Sequence, residues 1–257
     1  MGTRLRDDRA RRPDAIRRLS MKGYWLVGEL FQDLRYNLVV DSVIAGNTPA
    51  WVYVDDRPDP RTAWIWNRMG TMLLAGQSGD KGFSQALSAV LSARVVPDAR
   101  RRQIPSLTLH YSPDAWEREV GDLLPAIARE KAWRRFYAFD RLRVNWREEI
   151  APGCAMRRID EELLGQGRLE NVGSVTGWVC SFWHTFEDFA GRGFGFCLVR
   201  GEVITSWCLT VYASGSDVEL GLATAPEYRG RGYATLTAAA CVEHSIDKGF
   251  TPHWHCD

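Results

Sequence analysis

At 257 residues, 45% of them hydrophobic and 25% charged, the chain is long enough for one large domain or two modest ones, each with a proper core. A net charge of +1 excludes a function built on whole-surface attraction to nucleic acid or acidic membrane, and no nucleic-acid or membrane partner is expected. No stretch offers about 18 uninterrupted apolar residues, and the charged start lacks the apolar core of a signal peptide, so the expectation is a cytoplasmic protein.

Residues 1–20 form a basic arm, with Arg4, Arg6, Arg9, Arg11, Arg12, Arg17 and Arg18 against Asp7, Asp8 and Asp14; such an arm is expected to be solvated and flexible. From Gly23 the leucines at 26, 30, 34 and 38 recur every four residues and predict a helix that Gly46-Asn47 ends. Runs rich in β-formers predict strands at 50–54, closed by Asp55-Asp56, and at 63–66. A helix over 83–91 and a strand over 107–111 continue the alternation, so residues 21–150 read as a divergent α/β domain. A second unit, 151–257, opens near Pro152-Gly153 after a charged stretch. It is predicted to hold a strand at 154–159, a short helix at 160–164, a longer helix at 172–189, and strands at 195–200, 203–212 and 218–225 in an antiparallel meander. A helix over 233–248, stopped by Gly249, and a fifth strand near 251–256 complete it. The fold class is therefore α/β (α+β), its C-terminal sheet mixed, mostly antiparallel and flanked by helices. No internal repeat or low-complexity tract is visible. Cys154, Cys180, Cys197, Cys208, Cys241 and Cys256 are scattered without a C-x-x-C pair and read as buried free thiols in a reducing compartment.

The segment with the most chemistry is Arg229-Gly230-Arg231-Gly232-Tyr233-Ala234, which follows a strand and opens a helix. Small residues there let backbone N–H groups approach a diphosphate, the helix N-terminus adds partial positive charge, and Arg229 and Arg231 can donate charge-assisted hydrogen bonds. An R-G-R-G string alone is a weak signal; its position between strand and helix strengthens it. These residues resemble the Q/R-x-x-G-x-G/A signature of the GNAT N-acetyltransferase superfamily, as do Glu219-Leu220-Gly221-Leu222 and Ala225-Pro226-Glu227-Tyr228 before it. Gly46-Asn47-x-Pro49, Val52-Tyr53-Val54-Asp55-Asp56, Met156-Arg157-Arg158-Ile159-Asp160, Gly193-Phe194-Gly195-Phe196 and Pro252-x-Trp254-x-Cys256 are similar to a two-domain bacterial GNAT subfamily.

The resemblance implies that acetyl-CoA is the cosubstrate and lies where the fourth and fifth strands splay. Its pantetheine would pair with the backbone of Leu222, Ala223 and Thr224, and its diphosphate would meet 229–234. A primary amine of a small molecule or peptide would attack the acetyl carbon directly, with Glu219 matching a strand-borne general base. The alternative for Glu219 is an outward charge at a strand end. Family members continue past the fifth strand with a helix and two more strands, and that helix often brings a tyrosine as general acid. Residue 257 falls before these, so a truncated form is expected, or elements from a partner chain, a homodimer included, or a non-catalytic domain.

Gly191-Arg192-Gly193-Phe194 precedes a strand and so reads as an entry turn without a helix dipole. His253 and His255 share a strand face while Cys256 points away, so no metal site is expected and the two histidines line the cleft or sit beside it. His184 and His244 have no carboxylate partner in the sequence, and no G-x-S-x-G elbow occurs. Trp178, Phe182, Trp183, Phe186 and Phe189 read mainly as core, with one or two forming an apolar wall for the acceptor. The rival to an acetyltransferase is a non-catalytic acyl-CoA-binding or sensing module, and a third option is nucleic-acid binding by the arginine arm.

Overall fold

The computed structural model describes residues 16–56, 58–125 and 130–256. Most of the basic arm lies outside this range. Its end does not hang free: β1 (Arg17–Arg18) pairs antiparallel with β2 (Trp51–Val54), and Leu19 is buried. The arginines stay at the surface, where the Arg18 guanidinium lies 5.2 Å from the Trp51 ring centre, while the flanking apolar residues anchor the segment, Leu19 buried and Ile16 packed partly buried against the core.

The leucine stripe predicted a single α-helix, but the chain forms a 3₁₀ helix over Met21–Leu34 followed by α1 (Val39–Ile44). With three residues per turn, positions four apart rotate about 120° at each step, so a four-residue leucine repeat does not line one face. The buried residues are Tyr24, Val27, Gly28, Phe31 and Leu34, and Leu26 and Leu30 only flank the core. β3 (Thr62–Trp66) and β4 (Thr71–Gly76) extend the first sheet. β4 was not foreseen, because it is buried on both faces and shows no alternation. A long helical rod follows as α2 (Lys81–Val90), a π turn at Leu91–Val95 and α3 (Val96–Arg101). The π turn sits beside Pro97, which has no N–H to donate and whose ring would crowd the carbonyl four residues back. β5 (Thr108–Ser112) then pairs parallel with β4, and α4 (Glu117–Leu123) and β6 (Arg135–Ala138) follow.

The second sheet is built from β7 (Cys154–Arg158), β8 (Gly195–Arg200), β9 (Val203–Ser214), β10 (Asp217–Thr224) and β11 (Thr251–Cys256), in the order β6-β11-β10-β9-β8-β7. β6 precedes residue 150 in the chain yet closes the far edge of this sheet against β11. Three helices lie between β7 and β8: α5 (Glu161–Leu164), α6 (Val172–Phe182) and α7 (Phe186–Arg192). The single helix expected over 172–189 is broken at Trp183, whose indole is buried and donates to Thr210 O, and Thr185 caps the new start by accepting from Asp188 N–H. α8 (Tyr233–Asp247) crosses from β10 to β11.

Both sheets have the same sequence of elements: a strand, helical segments, three antiparallel strands, a helix, and a last strand parallel to the one before. The duplication is one of topology, and no sequence repeat announces it. A continuous apolar core joins the halves, with Phe31, Val39 and Val43 in the same cluster as Trp207, Leu209 and Val218. Buried polar bonds reinforce the seam: Asn47 Nδ2 donates to Ala213 O at 2.7 Å and Asn67 Nδ2 to the Tyr212 hydroxyl at 2.8 Å. Among the described residues no helix is long and apolar enough to cross a membrane. All six cysteines are free; Cys197, Cys208 and Cys241 are buried as expected, whereas Cys180 and Cys256 are exposed, each lying at an element's solvent side.

Candidate active site

β10 and β11 pair only from Asp217↔Thr251 to Glu219↔His253, after which β11 leaves β10 and follows β6. The remainder of β10 therefore has a partner, β9, on one side alone. Ala225 N–H donates to Thr205 O at 2.9 Å, and antiparallel alternation from that pair turns the peptide groups of Ala223 and Gly221 toward β9 as well. Those of Leu222 and Thr224 point the other way, into the gap. Of the three residues expected to offer backbone groups there, Ala223 is thus turned away.

Past the gap lies the glycine turn. A cleft of about 420 Å³ is lined by 222–224 and 228–234, which brings together every cofactor-binding residue named from the sequence. Gly230 and Gly232 have φ of +74° and +77°, a left-handed backbone that favours glycine, and a Cβ on either would meet open space. Gly232 caps α8 without any side-chain capping bond, so the first-turn N–H groups of the helix have no intrahelical or side-chain acceptor. The N–H groups of residues 230–232 also lack an acceptor among the described residues. Arg229 Nε donates to Thr224 O at 3.4 Å and Arg231 to Glu227 O at 3.2 Å, both in exposed positions, with Arg231 lying 5.3 Å from the Tyr228 ring centre. Free amides, a helix N-terminus and two guanidinium groups fit the diphosphate of a coenzyme.

The corresponding place in the first half is closed. Asp80 caps α2, accepting from Gly82 N–H at 2.8 Å and Phe83 N–H at 3.1 Å, and Glu119 accepts from Gly79 N–H and the Ser84 hydroxyl at 2.6 and 2.7 Å. Protein carboxylates occupy the donors that a phosphate would need. β4 and β5 also stay paired from Thr71↔Thr108 to Ala75↔Ser112, leaving no gap.

The two faces of β10 differ. Thr224 reaches Ser206 Oγ at 3.1 Å, which in turn reaches Thr237 Oγ1 at 3.1 Å, so this face meets α8. Glu219, Gly221 and Ala223 face the opposite way, toward α6 and the first half. Gly221 allows Val211 and the Trp178 ring to approach closely; Trp178 meets Trp207 edge-to-face at 6.0 Å, and Phe182 meets Tyr212 at 5.6 Å. Trp183 and Phe189 are core residues.

At the fork, Glu219 has a side chain only 4% exposed, and its Oε1 lies 2.6 Å from Nδ1 of His255, a charge contact that is not aligned as a hydrogen bond. One step back along the strands, Asp217 Oδ1 and His253 Nε2 are 2.6 Å apart and half-buried. Tyr212 sits beside Glu219; burial and then the Glu219 charge push its hydroxyl pKa up, and it accepts the bond from Asn67. The first half contributes His110, whose Nδ1 is 3.3 Å from the Tyr36 hydroxyl and whose pKa falls to about 4 through burial and the charges of Arg134 and His255. Phe136 lies between them, its ring centre 5.5 Å from that of His255 and 5.0 Å from that of Tyr36.

The family model for GNAT acetyltransferases matches residues 28–257. The chain belongs to the GNAT acetyltransferase family. It is similar to the uncharacterized N-acetyltransferase YdfB of Bacillus subtilis (strain 168), with 25% identity over 244 residues that cover 94% of this chain and 88% of the relative. Among solved structures it resembles a GCN5-related N-acetyltransferase-like protein from Streptococcus suis 89/1591, at a TM-score of 0.61 and 18% identity over 91% of this chain and 88% of that one. It also resembles a tandem GNAT protein from the clavulanic acid biosynthesis pathway, at 0.53 and 12% identity over 94% and 89%. At these identities the structural likenesses show the fold alone.

In this GNAT acetyltransferase the histidines of β11 have a partner relation that sequence reading missed. Asp217-x-Glu219 and His253-x-His255 both alternate with period two, the spacing that brings acids and imidazoles onto one face when two strands run parallel. His244, by contrast, packs on Phe194 and Phe196. Among the described residues of the GNAT chain no group of three or more His, Cys, Asp or Glu could hold a metal.

Proposed function

We propose that the protein is a cytoplasmic, acetyl-CoA-dependent N-acetyltransferase that acetylates a primary amine of a small molecule or peptide in one direct step. The observation that carries this reading is the parting of β10 and β11 after Glu219↔His253, immediately beside the left-handed glycine turn with its unpartnered amides. Family membership supports the acyltransferase chemistry, and free thiols accord with a reducing cytoplasm.

Acetyl-CoA supplies the activated acetyl thioester. Residues 230–234, with Arg229 and Arg231, would hold its diphosphate, and the outward peptide groups of Leu222 and Thr224 would hold its pantetheine arm. Leu222 N–H, facing the gap, is suited to stabilise the oxyanion that forms as the amine nitrogen attacks. Basicity for amine deprotonation would come from the opposite face, at the Glu219–His255 pair, where Trp178 and Phe182 supply apolar surroundings that favour the uncharged amine.

The test has two arms. Calorimetry should show acetyl-CoA binding that Arg229→Glu with Gly232→Val abolishes. Thiol release should follow when acetyl-CoA meets one member of a panel of small primary amines and short peptides. Saturable binding without turnover of any amine would make the chain a binding or sensing module instead.

A further inference from the structure

Glu219 is poorly placed to meet an amine itself. Its side chain is almost fully enclosed, with Tyr212 on one side and the His255 ring at 2.6 Å on the other. His255 is more open, at 20% side-chain exposure, and stands two residues along β11 beyond the last β10 pair, on the arm that borders the gap. Its Nδ1 is buried and lies 2.6 Å from the carboxylate as a charge contact without hydrogen-bond alignment, and no hydrogen bond engages its Nε2 among the described residues. The carboxylate favours the tautomer with the proton on Nδ1, which leaves a lone pair on Nε2.

We propose that His255 Nε2 receives the proton of the acceptor amine, and that Glu219 is a positioning residue which holds the ring and its tautomer from behind. This rests on the acetyltransferase reading and assigns the atom within it. As the amine nitrogen attacks, a C–N bond forms and the C–S bond breaks. The amine proton passes to Nε2, and coenzyme A leaves as its thiolate. The other groups beside the ring are Phe136 and His110, the latter uncharged near neutrality; the Arg134 charge bears on His110 and on Tyr212, and Glu219 offsets an imidazolium at His255.

The neighbouring pair supplies an internal contrast. His253 meets Asp217 through Nε2, so the two histidines are expected in opposite tautomers, His255 as Nδ1–H and His253 as Nε2–H. Long-range nitrogen–proton correlation NMR on histidine-labelled wild type reads both directly and needs no acceptor amine. A His255 ring protonated on Nε2 while neutral overturns the proposal even if the protein acetylates amines. With an amine that wild type turns over, His255→Gly should lose roughly 100- to 10,000-fold in kcat with KM for acetyl-CoA unchanged. Imidazole added to the buffer should restore part of that loss. Glu219→Gln should also lose kcat and should not respond to imidazole, because its ring is present but misheld. His255→Gln checks that the loss does not come from opening the fold. Full activity in both His255 variants, or absence of imidazole rescue in His255→Gly that still binds acetyl-CoA, would assign the proton to Glu219 alone. Failure of wild type on every amine, with the Nδ1–H tautomer present, would count against the acetyltransferase reading instead.

Discussion

Helix α8 carries its own control for the coenzyme site. Gly232 and Gly249 bracket it, both with φ of +77°, and a Cβ at either would meet nothing within 4 Å. Alanine therefore introduces the same left-handed strain at both ends, about 1–2 kcal/mol, and no clash. For a chain of this size each kcal/mol should lower Tm by roughly 2–4 °C, so Gly232→Ala and Gly249→Ala should show similar thermal shifts. Coenzyme affinity should separate them. At Gly232 the backbone relaxes out of the geometry that aims residues 230–234 at a diphosphate, and losing one hydrogen bond to a charged group removes about 1.5–3 kcal/mol. That corresponds to a Kd for acetyl-CoA raised roughly 10- to 150-fold, with Gly249→Ala binding as wild type does. Differential scanning calorimetry and isothermal titration on the three proteins provide both readings. Equal affinity losses at the two ends, or none at Gly232, would refute the argument that these amides form the diphosphate cradle.

Three further outcomes follow from the geometry. Gly221→Ala places a Cβ against Val211 Cγ1, closer than real contacts allow, and 3.0 Å from the Trp178 ring, so it should destabilise by about 1–3 kcal/mol and alter tryptophan fluorescence. Asp98 is buried among Arg68, Arg101 and Arg102; burial pushes its pKa up, but the Arg68 hydrogen bond and charge, the Trp66 N–H and the Arg102 charge outweigh it and bring the value from 3.8 to about 2. Because the folded pKa is the lower one, its stabilisation is full above about pH 4 and disappears as pH falls toward 2, a loss of about 2 kcal/mol that urea unfolding of wild type should show and Asp98→Asn should not. Asp80→Ala with Glu119→Ala should cost about 1 kcal/mol through the lost cap, while calorimetry with acetyl-CoA still gives a single site, since β4 and β5 do not part. A second equivalent would show that the carboxylates alone close the first half.

What could be read in the sequence was local. Strand, turn and helix at 218–248 are contiguous, and the glycines and arginines that define the turn occur within six residues, so the residues named at 222–224 and 229–234 all line the cleft, which Tyr228 completes. The direction of each peptide group was not legible, because it depends on the pairing of β10 with β9, and Ala223 turned out to face that strand. β6 escaped notice for a related reason: Arg135 to Ala138 are all exposed and carry no burial pattern, and only pairing with β11 makes them a strand. The four-residue leucine spacing misled because the chain forms a 3₁₀ helix there, and of the three leucines within it only Leu34 is buried, together with Tyr24, Val27 and Phe31. Glu219 could be singled out on its strand, but its contact with His255 needs a parallel register set by a helical crossover.

The two halves start from one topology and differ at the point that matters for chemistry. In the first, full pairing of β4 with β5 and the carboxylates of Asp80 and Glu119 satisfy the groups that would otherwise receive a coenzyme. In the second, β11 is drawn away by β6, and that departure opens the backbone of Leu222 and Thr224 and carries His255 to the edge of the gap. β6 thus has a functional consequence although its own residues are exposed: without its pairing, nothing among the described residues holds the outer half of β11 clear of β10. The first half still takes part, because Asn67 fixes Tyr212 beside Glu219 and His110 and Tyr36 enclose Phe136 against His255. Under the proposed function this closed copy of the fold would form one wall of the acceptor side, and the amine selected is expected to depend on Tyr36 and His110 as much as on residues of the second half.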